Sequence, residues 1–256
     1  MINSISYLHL VWLIPVTYII AVFINHSADV LPEFRTLRTK PVCLKCKQTF
    51  DFFNYSTFKQ CHHCNTKRPL RQTVVVVLMP LFLISSFYYL GNVFQWIVAA
   101  IILTYLAILF LIDLEHRLIL HPTSIVGAIL FIFIGVFRNG ILKTLLGGLS
   151  GFVIMFLLYL FGILFNRWMS KRKGEIIDEA ALGYGDVNLS GVLGLLLGWP
   201  GIGLCLFFAI IGGGVFSGLW LLFMLIRKKY EAFTPIPYAP FLIISAIFIL
   251  FLSTTN

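Results

Sequence analysis

"GIGLCLFFAIIGGGVFSGLWLLFMLI", residues 201–226, is a run of uncharged and mostly apolar residues. It is longer than the roughly 20 residues that an α-helix needs to cross the apolar core of a bilayer. The whole chain shares this character, because 59% of its 256 residues are hydrophobic and only 11% are charged. A soluble domain of this length would have too few polar residues for its surface. The sequence therefore predicts an all-α polytopic membrane protein.

Eight apolar segments are predicted to be transmembrane helices, although Val187–Leu197 is short for a full crossing. They are Ile5–Ile24, Thr73–Leu90, Val93–Ile112, Ser124–Phe137, Ile141–Phe165, Val187–Leu197, Gly201–Ile226 and Ala239–Leu252. The first has no basic residues before it and no small-residue cleavage site, so we predict a retained anchor. The predicted domains are this anchor (1–24), a polar loop (25–72) and a multi-helix membrane domain (73–256).

The distribution of Lys and Arg predicts the orientation, because loops on the cytoplasmic side are enriched in them. The opposite side receives only Arg138 and Lys143. The side of the 25–72 loop carries the other seventeen: Arg35, Arg38, Lys40, Lys45, Lys47, Lys59, Lys67, Arg68, Arg71, Arg117, Arg167, Lys171, Arg172, Lys173, Arg227, Lys228 and Lys229. We therefore predict a cytoplasmic loop and two outside termini. The net charge of +9 is interpreted as contact with anionic lipid headgroups, and no nucleic-acid partner is predicted.

Four of the five cysteines lie in the 25–72 loop as two C-x2-C pairs. The pairs are "CLKC" (Cys43, Cys46) and "CHHC" (Cys61, Cys64). Two such knuckles bring four thiolates to one Zn²⁺ ion, so a structural zinc site is predicted, with a redox dithiol as the alternative. Thiols on the cytoplasmic face stay reduced, which argues against two disulfides. Because the loop has few apolar residues, metal binding would supply much of its folding free energy.

Two aspartates lie at the ends of apolar runs, on the predicted cytoplasmic side. Asp113 ends the run in "LAILFLIDLEHRLIL", and Asp186 begins the next motif, "GYGDVNL". We expect most of the remaining acidic residues to be solvated in polar loops: Asp29, Glu33, Asp51, Glu175, Asp178, Glu179 and Glu231.

The two carboxylates have several chemical uses in a membrane protein. Two that share a proton can act as an aspartic protease, in which one activates water and the other polarises the scissile carbonyl. Gly183 and Gly185, on either side of Tyr184, would then let substrate or backbone approach closely. Membrane aspartates also bind ions or relay protons. An ion-coupled transporter that uses Asp113 and Asp186, and a non-catalytic adaptor that binds through its zinc loop, therefore stay open on the residues alone.

Several motifs together resemble the type IV prepilin peptidases, which are membrane aspartic proteases with a GxGD motif. "FLIDLEHRLIL" is similar to the family's segment around its first catalytic aspartate, and "LGYGDVNLSGVLGLLLGW" to the segment around its second. "TPIPYAPFL" (Thr234–Leu242) and the paired cysteine knuckles also agree with the family. The resemblance thus implies that Asp113 and Asp186 are catalytic, and that Gly183, Tyr184 and Gly185 belong to the active-site loop.

The resemblance also implies a substrate and a place of action. The substrate is a prepilin or pseudopilin, whose basic leader is removed after a glycine at the cytoplasmic face of the bacterial inner membrane. Many members then methylate the new amino terminus with S-adenosylmethionine. In this chain Val30 stands where the family has an arginine and Gln72 stands near a usual glutamate. Because such departures concentrate in the region linked to methylation, the resemblance predicts proteolysis more strongly than methylation, and it identifies no residues that bind S-adenosylmethionine.

Overall fold

The fold was analysed in a computed structural model that describes residues 7–43, 45–46, 48–57, 59–61, 63–173, 183–227 and 237–252. The described residues form helices and connecting segments, with one isolated β-bridge between Val42 and Thr49. The helices are α1 (Tyr7–Phe34), α2 (Phe52–Ser56), α3 (Leu70–Leu90), α4 (Val93–His116), α5 (His121–Asn139), α6 (Ile141–Lys173), α7 (Tyr184–Leu197), α8 (Gly201–Ile226) and α9 (Ala239–Leu252). The predicted all-α class is confirmed.

The described residues of all eight predicted segments fall on helices, with residues 5 and 6 outside the described part, and α2 is an additional short helix in the polar loop. Six helices are long and apolar enough to cross a membrane: α1, α3, α4, α5, α6 and α8. The other two, α7 and α9, have 14 residues each. At 1.5 Å per residue they are about 21 Å long, which is shorter than the roughly 30 Å apolar core of a bilayer.

The chain divides into two compact units, Met1–Ile112 and Asp113–Asn256. The predicted domains, 1–24, 25–72 and 73–256, are not defined by this division and stay a prediction. In addition, α1 continues to Phe34, past the predicted end at Ile24, and α3 begins at Leu70. The predicted loop 25–72 thus begins and ends inside helices, and we call the segment between α1 and α3, residues 35–69, the cysteine loop.

In the unit Met1–Ile112, α1 packs against α3. An aromatic cluster lies among the membrane helices, where Trp12, Phe87 and Trp96 meet edge to face with ring centroids 5.6–5.7 Å apart. The indole of Trp96 donates a hydrogen bond to the carbonyl of Leu83 at 2.9 Å, so its polar atom is satisfied although the side chain is buried.

In the unit Asp113–Asn256, α7 contacts α5, α6, α8 and α9 and is the central helix. Its buried residues outnumber its exposed ones, and three of its 14 residues are glycine. Its carboxyl end is held by two polar contacts. The side chain of Asn139 donates to the carbonyl of Leu196 at 3.0 Å, and the N–H of Trp199 donates to the carbonyl of Lys143 at 2.9 Å.

Candidate active site and metal centre

Asp113 lies in the last turn of α4 and is 5% exposed. The helix ends there because Arg117 adopts a left-handed conformation (φ 52°) and its N–H donates to the carbonyl of Asp113 at 2.9 Å. The carboxylate accepts a hydrogen bond from the backbone N–H of Ala239. Its Oδ2 atom has no hydrogen-bond partner among the described residues. One carboxylate oxygen is therefore buried and available.

Asp186 lies in the first turn of α7 and is 8% exposed. Gly183 caps the helix, and its N–H donates to Oδ2 of Asp186 at 3.3 Å. The N–H of Asp186 donates in turn to the carbonyl of Gly183 at 3.0 Å. This is the carboxylate half of a capping box, which ties the side chain to the start of the helix.

Asp113 and Asp186 belong to the same unit, and their carboxylates are close enough to interact electrostatically. The two aspartates come from motifs far apart in the sequence, and they lie at the end of α4 and at the start of α7, within electrostatic range of each other. Two buried carboxylates in mutual range are the groups that a shared-proton dyad requires.

The three residues before Asp186 differ in what they contribute. A Cβ atom at Gly185 would lie 2.8 Å from Cβ of Ile119, so only glycine fits there. Gly183 has an ordinary backbone conformation (φ −78°) and an added Cβ would meet only Oδ2 of Asp186, at 3.4 Å. Tyr184 is half exposed, with its ring 5.8 Å from that of Tyr159. The neighbour at Gly185 is thus a side chain, and the close approach of substrate or backbone to the two glycines stays a prediction.

Glycine contacts between α6 and α7 hold Asp186 in place. A Cβ at Gly194 would lie 2.2 Å from the carbonyl oxygen of Gly147, and one at Gly147 would lie 2.4 Å from that of Gly194. One turn along, a Cβ at Gly151 would lie 2.5 Å from the carbonyl oxygen of Ser190. The hydroxyl of Ser190 donates to Gly151 O at 3.0 Å, which crosslinks the two backbones. The position of α7 is therefore set by direct backbone contact.

The four predicted metal ligands come together in the cysteine loop. The sulfur atoms of Cys43, Cys46, Cys61 and Cys64 all lie within 4.8 Å of one another and form no disulfide. The shortest separations are 3.5 Å, between Cys46 and Cys61, and 3.6 Å, between Cys43 and Cys64. A tetrahedron with Zn–S bonds of about 2.3 Å has sulfur atoms about 3.8 Å apart, so the four thiols fit such an ion.

Local hydrogen bonds shape both cysteine knuckles. The N–H of Cys43 donates to Gln48 O at 2.8 Å, and the N–H of Asn65, a left-handed residue, donates to Cys61 O at 2.9 Å. Hydrogen bonds from Thr66 lower the pKa of the Cys64 thiol to about 6, which favours the thiolate that metals bind. His63 is exposed, and His62 lies outside the described residues.

The cysteine loop is seated on α1 and α3 by a group of side chains that we call the polar network: Asp29, Tyr55, Arg71 and Gln72. Asp29 accepts hydrogen bonds from the Tyr55 hydroxyl at 2.5 Å and from the Gln72 amide at 2.6 Å. It also forms an ion pair with Arg71. Burial, and then the charge of Asp29, raise the pKa of the Tyr55 phenol.

Asp29 is therefore an exception to the prediction that most of these acidic residues are solvated. Asp29 lies on α1 and is bound on one side by α2 and on another by α3. Of the other acidic residues expected to be solvated, Glu33 and Asp51 are exposed, whereas Glu175, Asp178, Glu179 and Glu231 lie outside the described residues. The sequence contains one indication of this ion pair. Asp29 and Arg71 have opposite charges, and each directly precedes a residue that departs from the family pattern, Val30 and Gln72.

Residues 100–218, which include both aspartates, match the type IV leader peptidase family. Three similar proteins are prepilin leader peptidase/N-methyltransferases. Those of Stutzerimonas stutzeri, Aeromonas hydrophila and Pectobacterium carotovorum subsp. carotovorum are 29%, 25% and 29% identical over 59%, 73% and 73% of this chain. The chain spans only 49%, 60% and 62% of their lengths. No solved structure matches the chain. Residues 100–218 are thus similar to the type IV leader peptidase family, and the predicted resemblance to the prepilin peptidases is confirmed.

Proposed function

We propose that this protein is a membrane aspartic endopeptidase that removes the basic leader from prepilins or pseudopilins after a glycine. The observation that carries the proposal is the approach of Asp113 and Asp186, two buried carboxylates from separate motifs within the leader peptidase match. Structural aspartates are normally paired with cations or fully hydrogen-bonded. Here each carboxylate has a backbone N–H donor and lies within electrostatic range of the other carboxylate, and Arg117 is in range of Asp113. Two buried carboxylates in mutual range are an arrangement that aspartic proteases use.

The chemistry follows from the two side chains. One carboxylate takes a proton from water as the water attacks the scissile carbonyl, while the other, protonated, donates to the carbonyl oxygen. Collapse of the tetrahedral intermediate breaks the C–N bond, and a carboxyl proton passes to the leaving amine. The unpartnered Oδ2 of Asp113 is suited to the substrate side of this dyad, because its other contact is a backbone N–H.

We propose that the protein lies in the bacterial inner membrane, with the cysteine loop in the cytoplasm and both termini outside. The basic residues on that side of the spans support this orientation. In the same orientation the carboxyl end of α4 and the amino end of α7 both face the cytoplasm. A prepilin leader would then meet the dyad at the interface where its own apolar helix enters the membrane.

We propose zinc as the ion at Cys43, Cys46, Cys61 and Cys64. Four thiols at these separations suit a closed tetrahedral site, which has structural rather than catalytic character. The ion would supply the loop with crosslinks that its small apolar core, which includes Phe50 and Tyr55, does not provide. In this role the loop is a docking surface for the cytoplasmic leader.

Methylation of the new amino terminus is a second candidate activity. Beside the polar network, Oδ1 of Asn25 and Oε1 of Gln72 are buried acceptors without partners among the described residues. The two residues are joined by a hydrogen bond from Asn25 Nδ2 to Gln72 O at 3.0 Å. Buried acceptors of this kind can hold an ammonium group, as a peptide amino terminus or a methionine moiety would present. S-adenosylmethionine would supply the methyl group when bound.

The test is cleavage of purified prepilin in detergent, followed by intact-mass analysis. Wild type is compared with Asp113→Asn and Asp186→Asn, and with Glu115→Gln, which removes an exposed carboxylate from the same end of α4. We expect leader removal by wild type and Glu115→Gln, and a loss of at least about 1,000-fold in both asparagine variants. A further gain of one methyl group in the presence of S-adenosylmethionine would establish the second activity.

Other outcomes discriminate between the alternatives. Cleavage by either asparagine variant would contradict the dyad. An uncut substrate, together with activity that depends on an ion gradient across vesicles, would point to a transporter. An adaptor would keep its cellular role after loss of both aspartates.

A further inference from the structure

The start of α9 and the residue before it lie near both aspartates. The N–H of Ala239, the first residue of α9, donates to the carboxylate of Asp113. The preceding residue, Tyr238, lies within electrostatic range of Asp186. Of two consecutive residues, one thus hydrogen-bonds to Asp113 and the other lies within electrostatic range of Asp186, and both are in the unit Asp113–Asn256.

The Tyr238 ring has a defined position. Its carbonyl caps α9, because it accepts the N–H groups of Phe241 at 3.0 Å and Leu242 at 3.4 Å. On α8, a Cβ added to Gly213 would lie 3.3 Å from Cε2 of Tyr238, so the ring packs directly on the helix backbone at that point. The hydroxyl is therefore held in one place rather than swinging through solvent.

The Tyr238 hydroxyl is buried and has no hydrogen-bond partner among the described residues. A buried hydroxyl without a partner is costly, and such groups in a folded protein call for an explanation. Burial, and then the charge of Asp186, raise the pKa of the Tyr238 phenol. The group thus keeps its proton at neutral pH and is a donor whose acceptor is missing.

We propose that Tyr238 is a further catalytic residue, whose hydroxyl donates a hydrogen bond to the carbonyl oxygen of the scissile peptide. This inference rests on the proposed peptidase function. As water adds to the carbonyl carbon, negative charge grows on that oxygen, and a fixed donor stabilises the intermediate more than the ground state. The tyrosine O–H bond stays intact throughout, so Tyr238 exchanges no proton with the dyad.

The experiment measures kcat and KM for prepilin cleavage by wild type, Tyr238→Phe and Tyr88→Phe. The control removes a hydroxyl from an exposed tyrosine of α3, in the other unit. We expect Tyr238→Phe to lower kcat on the order of 100-fold, as loss of one oxyanion donor does, with KM little changed. The temperature of unfolding should be unchanged or higher, because the variant removes a buried hydroxyl without a partner among the described residues, and both limbs of the pH profile should stay as in wild type.

A second variant keeps the test decisive if Tyr238→Phe does not fold. Gly213→Ala places a methyl group against the ring and shifts the hydroxyl. We expect it to lower kcat in the presence of Tyr238 and to have a smaller effect in the Tyr238→Phe background.

Three results would overturn the inference. One is full activity of folded Tyr238→Phe. Another is a displaced pH limb with an unchanged maximal rate, which would mean that the hydroxyl acts on Asp186. The last result applies if Tyr238→Phe does not fold: Gly213→Ala would then cleave prepilin with the kcat of wild type. If wild type itself does not cut prepilin, the proposed function fails instead, so the two failures are separable.

Discussion

The cysteine loop and the aspartate site are held in place by opposite means. In the unit Met1–Ile112, long polar side chains reach across from α2 and α3 to Asp29, and four thiols form a ligand set. In the unit Asp113–Asn256, α6 and α7 have glycines where they contact each other, so that their backbones touch at Gly147 and Gly194. The first arrangement depends on charge and metal, which solution conditions can change. The second depends on volume, which only mutation can change.

Loss of a metal ligand should have the largest effect and should separate the two regions. We expect Cys43→Ser to abolish metal binding and unfold the cysteine loop, since a structural zinc site contributes about 10 kcal/mol or more to such small folds. The helices of Asp113–Asn256 should remain folded. Metal content by mass spectrometry and limited proteolysis of the loop measure the result.

Cys205→Ala is the matched control, because Cys205 is a buried thiol of α8 outside the ligand set. It should retain the metal. Wild-type protein that is purified without chelator and carries no zinc would contradict the assignment.

Gly194→Ala tests the backbone contact between α6 and α7 in the unit Asp113–Asn256. Its added Cβ would lie 2.2 Å from the carbonyl oxygen of Gly147, and neither backbone can yield without moving a helix. We expect a destabilisation of about 3 kcal/mol and reduced cleavage, with zinc content unchanged. Thermal unfolding in detergent measures the first effect.

Gly214→Ala, on α8, provides the control, because a Cβ there meets nothing within 4 Å. Alanine should be neutral or slightly stabilising at that site. Equal stability of the two variants would show that the α6–α7 contact is looser than described.

Asp29→Asn should have a smaller effect, confined to the seating of the cysteine loop. It leaves the charge of Arg71 without its ion-pair partner Asp29, and their side chains are only 13% and 10% exposed. We expect a loss of about 2 kcal/mol, less than for a fully buried pair. Hydrogen exchange of α2 reports it. Asp51→Asn removes an exposed carboxylate and should leave exchange unchanged. Equal protection of α2 in both variants would show that the polar network does not hold the cysteine loop in place.

The smallest effect is expected for Arg68→Lys. The guanidinium of Arg68 lies 3.9 Å from the ring centre of Phe50 and 4.7 Å from that of Tyr55. Its Nε also donates to Lys59 O at 3.2 Å. Lysine cannot reproduce the planar stacking, so the loop should lose about 1 kcal/mol. Thermal unfolding of the loop against Arg38→Lys, an exposed control, measures the difference.

Local sequence patterns are sufficient to predict a feature when the residues that form it are near one another in the sequence or alike in chemistry. The apolar runs predicted the helices because a bilayer imposes length and hydropathy on each span separately. The C-x2-C spacing predicted the cysteine cluster, since each knuckle brings its own two thiols together. Where partners are distant, patterns failed. The polar residues from Asn25 to Asp29 predict a loop, but they lie in α1, where Asn25 and Asp29 hydrogen-bond to Gln72 of α3.

The sequence by itself determined the class of the protein, its apolar helices, the four thiols and the two candidate aspartates, because composition and short motifs record them directly. Only the tertiary structure decided which atoms surround those groups. It placed Ala239 on Asp113, Tyr238 near Asp186 and Asp29 beneath the cysteine loop. Each of these contacts joins residues dozens of positions apart. Their energies come from burial and from exact donor–acceptor geometry, which exist only once the helices have packed.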